Sequence, residues 1–275
     1  MHRYSEVDVF GSAPLLGNPV AVVHDADDLS DIEMSSFARW TNLSETTFLL
    51  TPRDPSADYR VRIFTPSTEL PFAGHPTLGS CRAWLAAGGV PRSEDRIVQE
   101  CAQGLIELRH DASTRLSFVA PALVRSGPVA AELLERTLAE LGLGASDVAA
   151  AAWVDNGPGW LGVQLNSADE VLDLVVPSTS VPVGVVGLYP PGGAAVYEVR
   201  AFFPEATGTI EDPVTGSLHA SVAQWLLDAG VVTAPYSASQ GRALGRAGLI
   251  SVDVDGDDVL VGGATDVIIT GSVAL

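Results

Sequence analysis

The sequence predicts an α/β (mixed α+β) protein built from two similar halves, and three observations lead there. Short alternating apolar segments outnumber helical ones, which points to sheets. Two helix-start strings, His75-Pro76-x-x-Gly79-Ser80 and Asp212-Pro213-x-x-Gly216-Ser217, lie 137 residues apart, and the same shift carries Gln103-Gly104 onto Gln240-Gly241. The chain has 275 residues at 47% hydrophobic composition, enough to fill a core in each half.

The elements follow in order. Strands are expected over residues 4–10, 19–23, 46–50, 59–64, 105–110, 115–119, 196–203, 249–254 and 267–269, from alternation and from β-branched and aromatic content. Ser30 and Glu33 form a capping-box pattern that starts a helix running to about residue 40. Residues 130–141 have helical apolar spacing closed by Gly142. Two further helices are expected to begin at Pro76 and Pro213, where the missing N–H costs nothing. Each runs into an alanine-rich stretch with one tryptophan, CRAWLAAGG and ASVAQWLLDAG, as suits a helix buried on most sides. The segment PALVRSGP at 121–128 reads as a linker. The halves are therefore 1–121 and 122–275, with the final strand able to return to the first.

Composition limits the function. A formal charge of −19 disfavours nucleic acid and anionic membranes as partners. All 15 basic residues are arginine, so no lysine Schiff base or P-loop lysine is available. No apolar run is long enough to span a bilayer, and the N-terminus lacks the layout of a signal peptide, so a cytoplasmic location is expected. Cys81 and Cys101 form neither a disulfide framework nor a CxxC pair.

Two strings imitate known sites and fail on context. Gly157-Pro158-Gly159-Trp160-Leu161-Gly162 fits GxGxxG, but the LGVQL that follows alternates like a strand and no acidic residue lies about 20 positions on. Asp253 to Asp258 resembles a calcium loop with its glycine misplaced, and reads as a hairpin turn. His2, His24, His110 and His219 have no metal-ligand neighbours in sequence.

The chemistry concentrates in three places. A helix N-terminus offers unpaired N–H groups and the positive end of a dipole, so the starts near His75 and Asp212 can bind a carboxylate without lysine. Either residue alone also fits a plain cap or turn. Glu45, in Asn42-Leu43-Ser44-Glu45-Thr46, enters a strand where it could be exposed or drawn into a cleft; a desolvated carboxylate is suited to accepting and returning a proton.

Together, Gly17-Asn18-Pro19-Val20-Ala21-Val22, Asn42-Leu43-Ser44-Glu45-Thr46, Phe64-Thr65-Pro66, Glu69 to Thr77, Glu211-Asp212-Pro213-Val214-Thr215-Gly216-Ser217 and Gln240-Gly241 resemble the motifs of the PhzF-like (phenazine biosynthesis) isomerases along the whole chain. The resemblance implies two halves, each a curled mixed sheet around a central helix as in diaminopimelate epimerase, with the active site in the cleft between them. It implies Glu45 as the acid/base, with His75, Asp212 and Ser217 as its catalytic companions. Backbone groups at Gly74 and Gly216 would bind the substrate carboxylate, with Asn18, Ser44, Gln240 and Gly241 lining the site. It further implies an isomerase that shifts a double bond or tautomer in a small unsaturated acid such as trans-2,3-dihydro-3-hydroxyanthranilate, without cofactor or metal, acting as a homodimer. The related epimerases use two opposed cysteines, whereas here the first such site reads Ala73-Gly74-His75. An amino-acid epimerase, a metal hydrolase using Glu45, His75 and Asp212, and a non-catalytic acid-binding protein remain as alternatives.

Overall fold

The computed structural model describes residues 1–94, 96–110, 115–175, 178–205 and 208–275. It divides into one unit of Met1–Val119 with Gly262–Leu275 and a second of Ala120–Val261. Among the described residues no helix is long and apolar enough to cross a membrane.

The first unit contains β1 (His2–Val9), β2 (Asn18–Val23), α1 (Asp31–Thr41), β3 (Glu45–Leu50), β4 (Tyr59–Phe64), β5 (Glu69–Leu70), α2 (Gly74–Ala86), β6 (Arg96–Cys101), β7 (Gly104–His110) and β8 (Leu116–Val119). The capping box at Ser30 forms in both directions, with Ser30 N–H donating to Glu33 Oε2 at 2.8 Å and Glu33 N–H to Ser30 Oγ at 3.3 Å. Asn42 ends α1 in the left-handed region. β1 pairs antiparallel with β2, β2 parallel with β3 across α1, and β3 antiparallel with β4. β4 then pairs antiparallel with β5 and parallel with β6, and β6 to β8 continue antiparallel. Helix α2 touches β1, β2, β3 and β8, so the sheet wraps it, and its residues 74–81 are all buried.

The second unit contains β9 (Arg125–Gly127), α3 (Ala131–Leu141), β10 (Val148–Asp155), β11 (Leu161–Leu165), α4 (Ala168–Asp173), β12 (Val183–Leu188), β13 (Tyr197–Glu205), β14 (Gly208–Asp212), α5 (Gly216–Asp228), β15 (Tyr236–Gln240), β16 (Gly248–Asp255) and β17 (Asp258–Gly263). Its pairing repeats the first unit step for step: β10 with β11 antiparallel, β11 with β12 parallel, β12 with β13 antiparallel, β13 antiparallel with β14 and parallel with β15, β15 with β16 antiparallel. The last strand, β18 (Thr265–Val273), pairs antiparallel with β1 in the first unit. The segment 121–128 is more than a linker, because β9 within it pairs with β10.

The repeat holds, but its register is not the one the strings suggest. Helices α2 and α5 begin at Gly74 and Gly216, after Ala73 and Thr215, not at Pro76 and Pro213. Pro76 sits inside the first turn, and Pro213 lies in the bend between β14 and α5. Glu69-Leu70-Pro71 therefore matches Glu211-Asp212-Pro213, a separation of 142, and His75 matches Ser217 rather than Asp212. Side chains agree. Arg62 pairs with Glu69 and lies over Phe64, as Arg200 pairs with Glu211 and lies over Phe202. Gln99 bonds Thr77 as Gln240 bonds His219, so Gln99, not Gln103, is the partner of Gln240 in the repeat.

Close helix-to-sheet contact is achieved differently in the two units. In the first the glycine is on the helix: a Cβ on Gly79 would stand 2.3 Å from Val20 Cγ1. In the second it is on the sheet, where a Cβ on Gly184 would stand 2.3 Å from Leu218 Cδ1. Gly79→Ala is expected to cost about 1–3 kcal/mol through overpacking, measured by urea unfolding.

Candidate active site

In the first unit the site is built from the starts of β2, β3 and α2. Asp8 accepts the Gly17 N–H at 3.0 Å, and a Cβ on Gly17 would stand 2.2 Å from the Val9 carbonyl oxygen, so the loop before β2 closes tightly. That closure places Asn18, fully buried, beside His75, with Asn18 Nδ2 at 3.4 Å from His75 Nδ1. The Pro19 carbonyl accepts a hydrogen bond from the same ring. On the ring's other side, Nε2 lies 3.3 Å from Glu45 Oε2. Glu45 opens β3 opposite Val20, and its side chain is 14% exposed. Ser44 precedes it, half-buried, while Thr46 turns away to Thr41 Oγ1 at 2.8 Å.

Burial pushes His75 down to about 3, with the Pro19 carbonyl opposing only part of that shift. The ring is neutral near pH 7, so its approach to Glu45 is a contact between a neutral imidazole and a carboxyl group and not an ion pair. Helix α2 starts without a side-chain cap, leaving the N–H groups of Gly74 and His75 without a helical acceptor. Such N–H groups are donors of the kind that carboxylates accept from.

In the second unit, Asp212 ends β14 and Ser217 stands in the first turn of α5, which also lacks a side-chain cap on its own N–H groups. Thr215 Oγ1 donates to Asp212 Oδ2 at 2.5 Å. Gln240 is 1% exposed, and its amide is wholly engaged. Its Oε1 accepts from Thr215 N–H (2.9 Å) and His219 Nε2 (3.0 Å), and its Nε2 donates to the Asp212 carbonyl (2.8 Å) and Thr215 Oγ1 (2.9 Å). Gln240 thus holds the entry to α5 from behind and has no amide hydrogen left for a ligand. Gly241 supports the same turn at φ +97, where a Cβ would stand 2.6 Å from the Pro213 carbonyl oxygen. Both are expected to line the site, and in the structure both brace the entry to α5. Gly74 and Gly216 are the first residues of their helices, buried, with no side chain to obstruct the N–H groups.

His219 is likewise buried and pushed down to about 3, opposed by its bond to Gln240. The two histidines make stability depend on acid. Between pH 6.5 and 3 the unfolded chain takes up these protons and the native state does not, so stability falls as pH falls. Each contributes about 1.4 kcal/mol per pH unit below 6.5, so going from pH 7.5 to 5.5 is expected to cost about 3 kcal/mol for the pair. Urea unfolding at both pH values checks this. His219→Gln should remove about 1.4 kcal/mol of the difference, and an undiminished difference would contradict a neutral native His219.

Neither helix start carries a thiol. Cys81 lies inside α2, where burial pushes it up to about 12, and burial also raises Cys101 at the end of β6. Among the described residues, no three His, Cys, Asp or Glu side chains stand close enough together to hold a metal ion. Sequence reasoning missed Asn156 and Trp160, which contact Ser217. Trp160 lies within the GxGxxG-like string and Asn156 immediately before it. That string forms the β-hairpin turn between β10 and β11 and the first two residues of β11.

The chain is 38% identical over 291 residues to the protein named antisense-enhancing sequence 1 of Schizosaccharomyces pombe, covering 98% of both. It is 35% identical over 263 residues to trans-2,3-dihydro-3-hydroxyanthranilate isomerase of Pseudomonas fluorescens, covering 93% of this chain and 91% of that one. Among solved structures, a predicted epimerase from Pseudomonas aeruginosa matches with a TM-score of 0.81 at 26% identity over 100% of both chains. The family model described as phenazine biosynthesis-like protein (PhzC-PhzF) matches residues 7–274, and the chain belongs to that family.

Proposed function

We propose that the protein is a cofactor-independent isomerase that moves a proton within a small unsaturated carboxylic acid of secondary metabolism, with trans-2,3-dihydro-3-hydroxyanthranilate or an analogous amino-acid-derived intermediate as substrate. The observation that carries this reading is Glu45, its side chain 14% exposed, set with Oε2 3.3 Å from a neutral His75 beside an uncapped helix start. The name of the Pseudomonas fluorescens relative supports the substrate class.

In this reading Glu45 takes a proton from a carbon next to a conjugated system, and the electron pair left behind shifts the double bond. The same carboxyl then returns the proton at another carbon, so atoms and charge balance with no redox partner. The Gly74 and His75 N–H groups and the positive end of the α2 dipole hold the substrate carboxylate and oppose charge that builds up nearby. Asp212 and Ser217 are kept as substrate-binding residues, as the family motifs imply. The absence of thiols at both helix starts disfavours a two-thiol inversion.

Proton NMR with trans-2,3-dihydro-3-hydroxyanthranilate in deuterium oxide tests the reading. The expected result is a new double-bond position, with hydrogen or deuterium entering only the carbon that receives the proton. An unchanged substrate spectrum at equal enzyme and substrate concentrations sinks it, and deuterium at an inverted but otherwise unchanged carbon would mark an epimerase.

A further inference from the structure

The stretch Asn156-Gly157-Pro158-Gly159-Trp160 joins β10 to β11 in a turn with little freedom. Asp155 Oδ1 accepts both the Gly157 N–H (2.7 Å) and the Gly159 N–H (2.6 Å), and the two glycines have φ of +138 and +92. The turn brings two side chains to the start of α5. Asn156 Nδ2 donates to the Ser217 carbonyl at 2.8 Å, and Trp160 Nε1 donates to Ser217 Oγ at 3.2 Å. Trp160 is fully buried and packs on Phe203 with ring centroids 4.4 Å apart, so its indole cannot swing away without opening the core.

An indole N–H only donates, so Ser217 Oγ must accept from it and direct its single hydrogen elsewhere. Among the described residues no protein group takes that hydrogen, and Ser217 is 7% exposed. We propose that Trp160 is a positioning residue that turns the Ser217 hydroxyl so that its hydrogen points away from the indole and toward the substrate, where it meets an acceptor such as a carboxylate or carbonyl oxygen. The inference rests on the isomerase reading, which puts Ser217 at the substrate. It goes beyond that reading in giving the hydroxyl a direction and a residue that sets it.

A double-mutant cycle read on turnover of trans-2,3-dihydro-3-hydroxyanthranilate tests the proposal. Trp160→Phe is expected to lower kcat/KM about tenfold in the native background, and less than about twofold once Ser217→Ala is present. Equal losses in both backgrounds overturn it. In case the phenylalanine variant packs poorly, Trp160 can be replaced by β-(3-benzothienyl)alanine, which keeps the bicyclic ring and lacks only the N–H; the same cycle is expected. A second readout needs no substrate. The Trp160 indole proton resonance, assigned by its absence in Trp160→Phe, should move upfield and exchange faster with solvent in Ser217→Ala. An unmoved resonance overturns the proposal. Failure of the isomerase reading shows differently, as no turnover by the native protein.

Discussion

Glu45→Gln is expected to lower kcat by about a thousandfold or more while ligand affinity stays within about fivefold. Glutamine keeps the size and polarity of the side chain, and its amide can still face His75 Nε2 across the 3.3 Å gap. What it cannot do is accept a proton from carbon. The neighbouring groups offer no substitute: His75 is buried, held down to about 3, and a base that weak is a poor acceptor. Glu45→Asp provides the second arm. It retains the carboxyl but draws it back by one methylene, and a displacement near 1 Å is enough to cost about a hundredfold in a proton transfer that needs alignment. The order native, Asp, Gln in kcat, with dissociation constants from calorimetry nearly level, is the signature of a group that acts in the transition state. A glutamine variant within tenfold of native turnover would remove Glu45 from the chemistry.

The sequence was most informative where local rules and tertiary demands agree. The capping box at Ser30 and the glycine stop at Gly142 depend on nearest neighbours, and both appear in the structure. Strand β4 alternates, and its bounds match the expectation. Strands β6, β12 and β15 were not legible. The strand Val183–Leu188 is a continuous apolar run whose strand identity depends on the β11 and β13 neighbours, and Tyr236–Gln240 is polar yet enclosed. The repeat was visible and its register was not, because proline and glycine recur often enough to align in more than one way. The site divides similarly. Glu45, His75 and Asn18 converge in the first unit, while Gln240 supports the second from behind, a distinction that depends on which atoms fill its four hydrogen-bonding positions.

The corrected register sets up a comparison within one molecule. Arg62 and Glu69 form a two-bond pair at 2.7 Å each, and Arg200 and Glu211 form its counterpart at 2.9 and 2.7 Å. Geometry is nearly the same, and surroundings are not. The first pair is 25% and 37% exposed, whereas the second is 3% and 4% exposed. Arg200 also donates to the carbonyls of Val171, Leu172 and Leu174, so it fixes the end of α4 as well as β14. Water screens an exposed pair and can replace a lost partner, so Glu69→Gln is expected to cost less than about 1 kcal/mol. Glu211→Gln leaves a guanidinium enclosed without its counter-charge and is expected to cost about 3–5 kcal/mol. Urea unfolding of the two variants gives the comparison directly. Equal costs would mean that burial does not govern the strength of the pair. Because Glu211 immediately precedes Asp212, the same variant is expected to loosen β14 where it presents that residue, so its loss of stability should bring a loss of turnover that Glu69→Gln does not share.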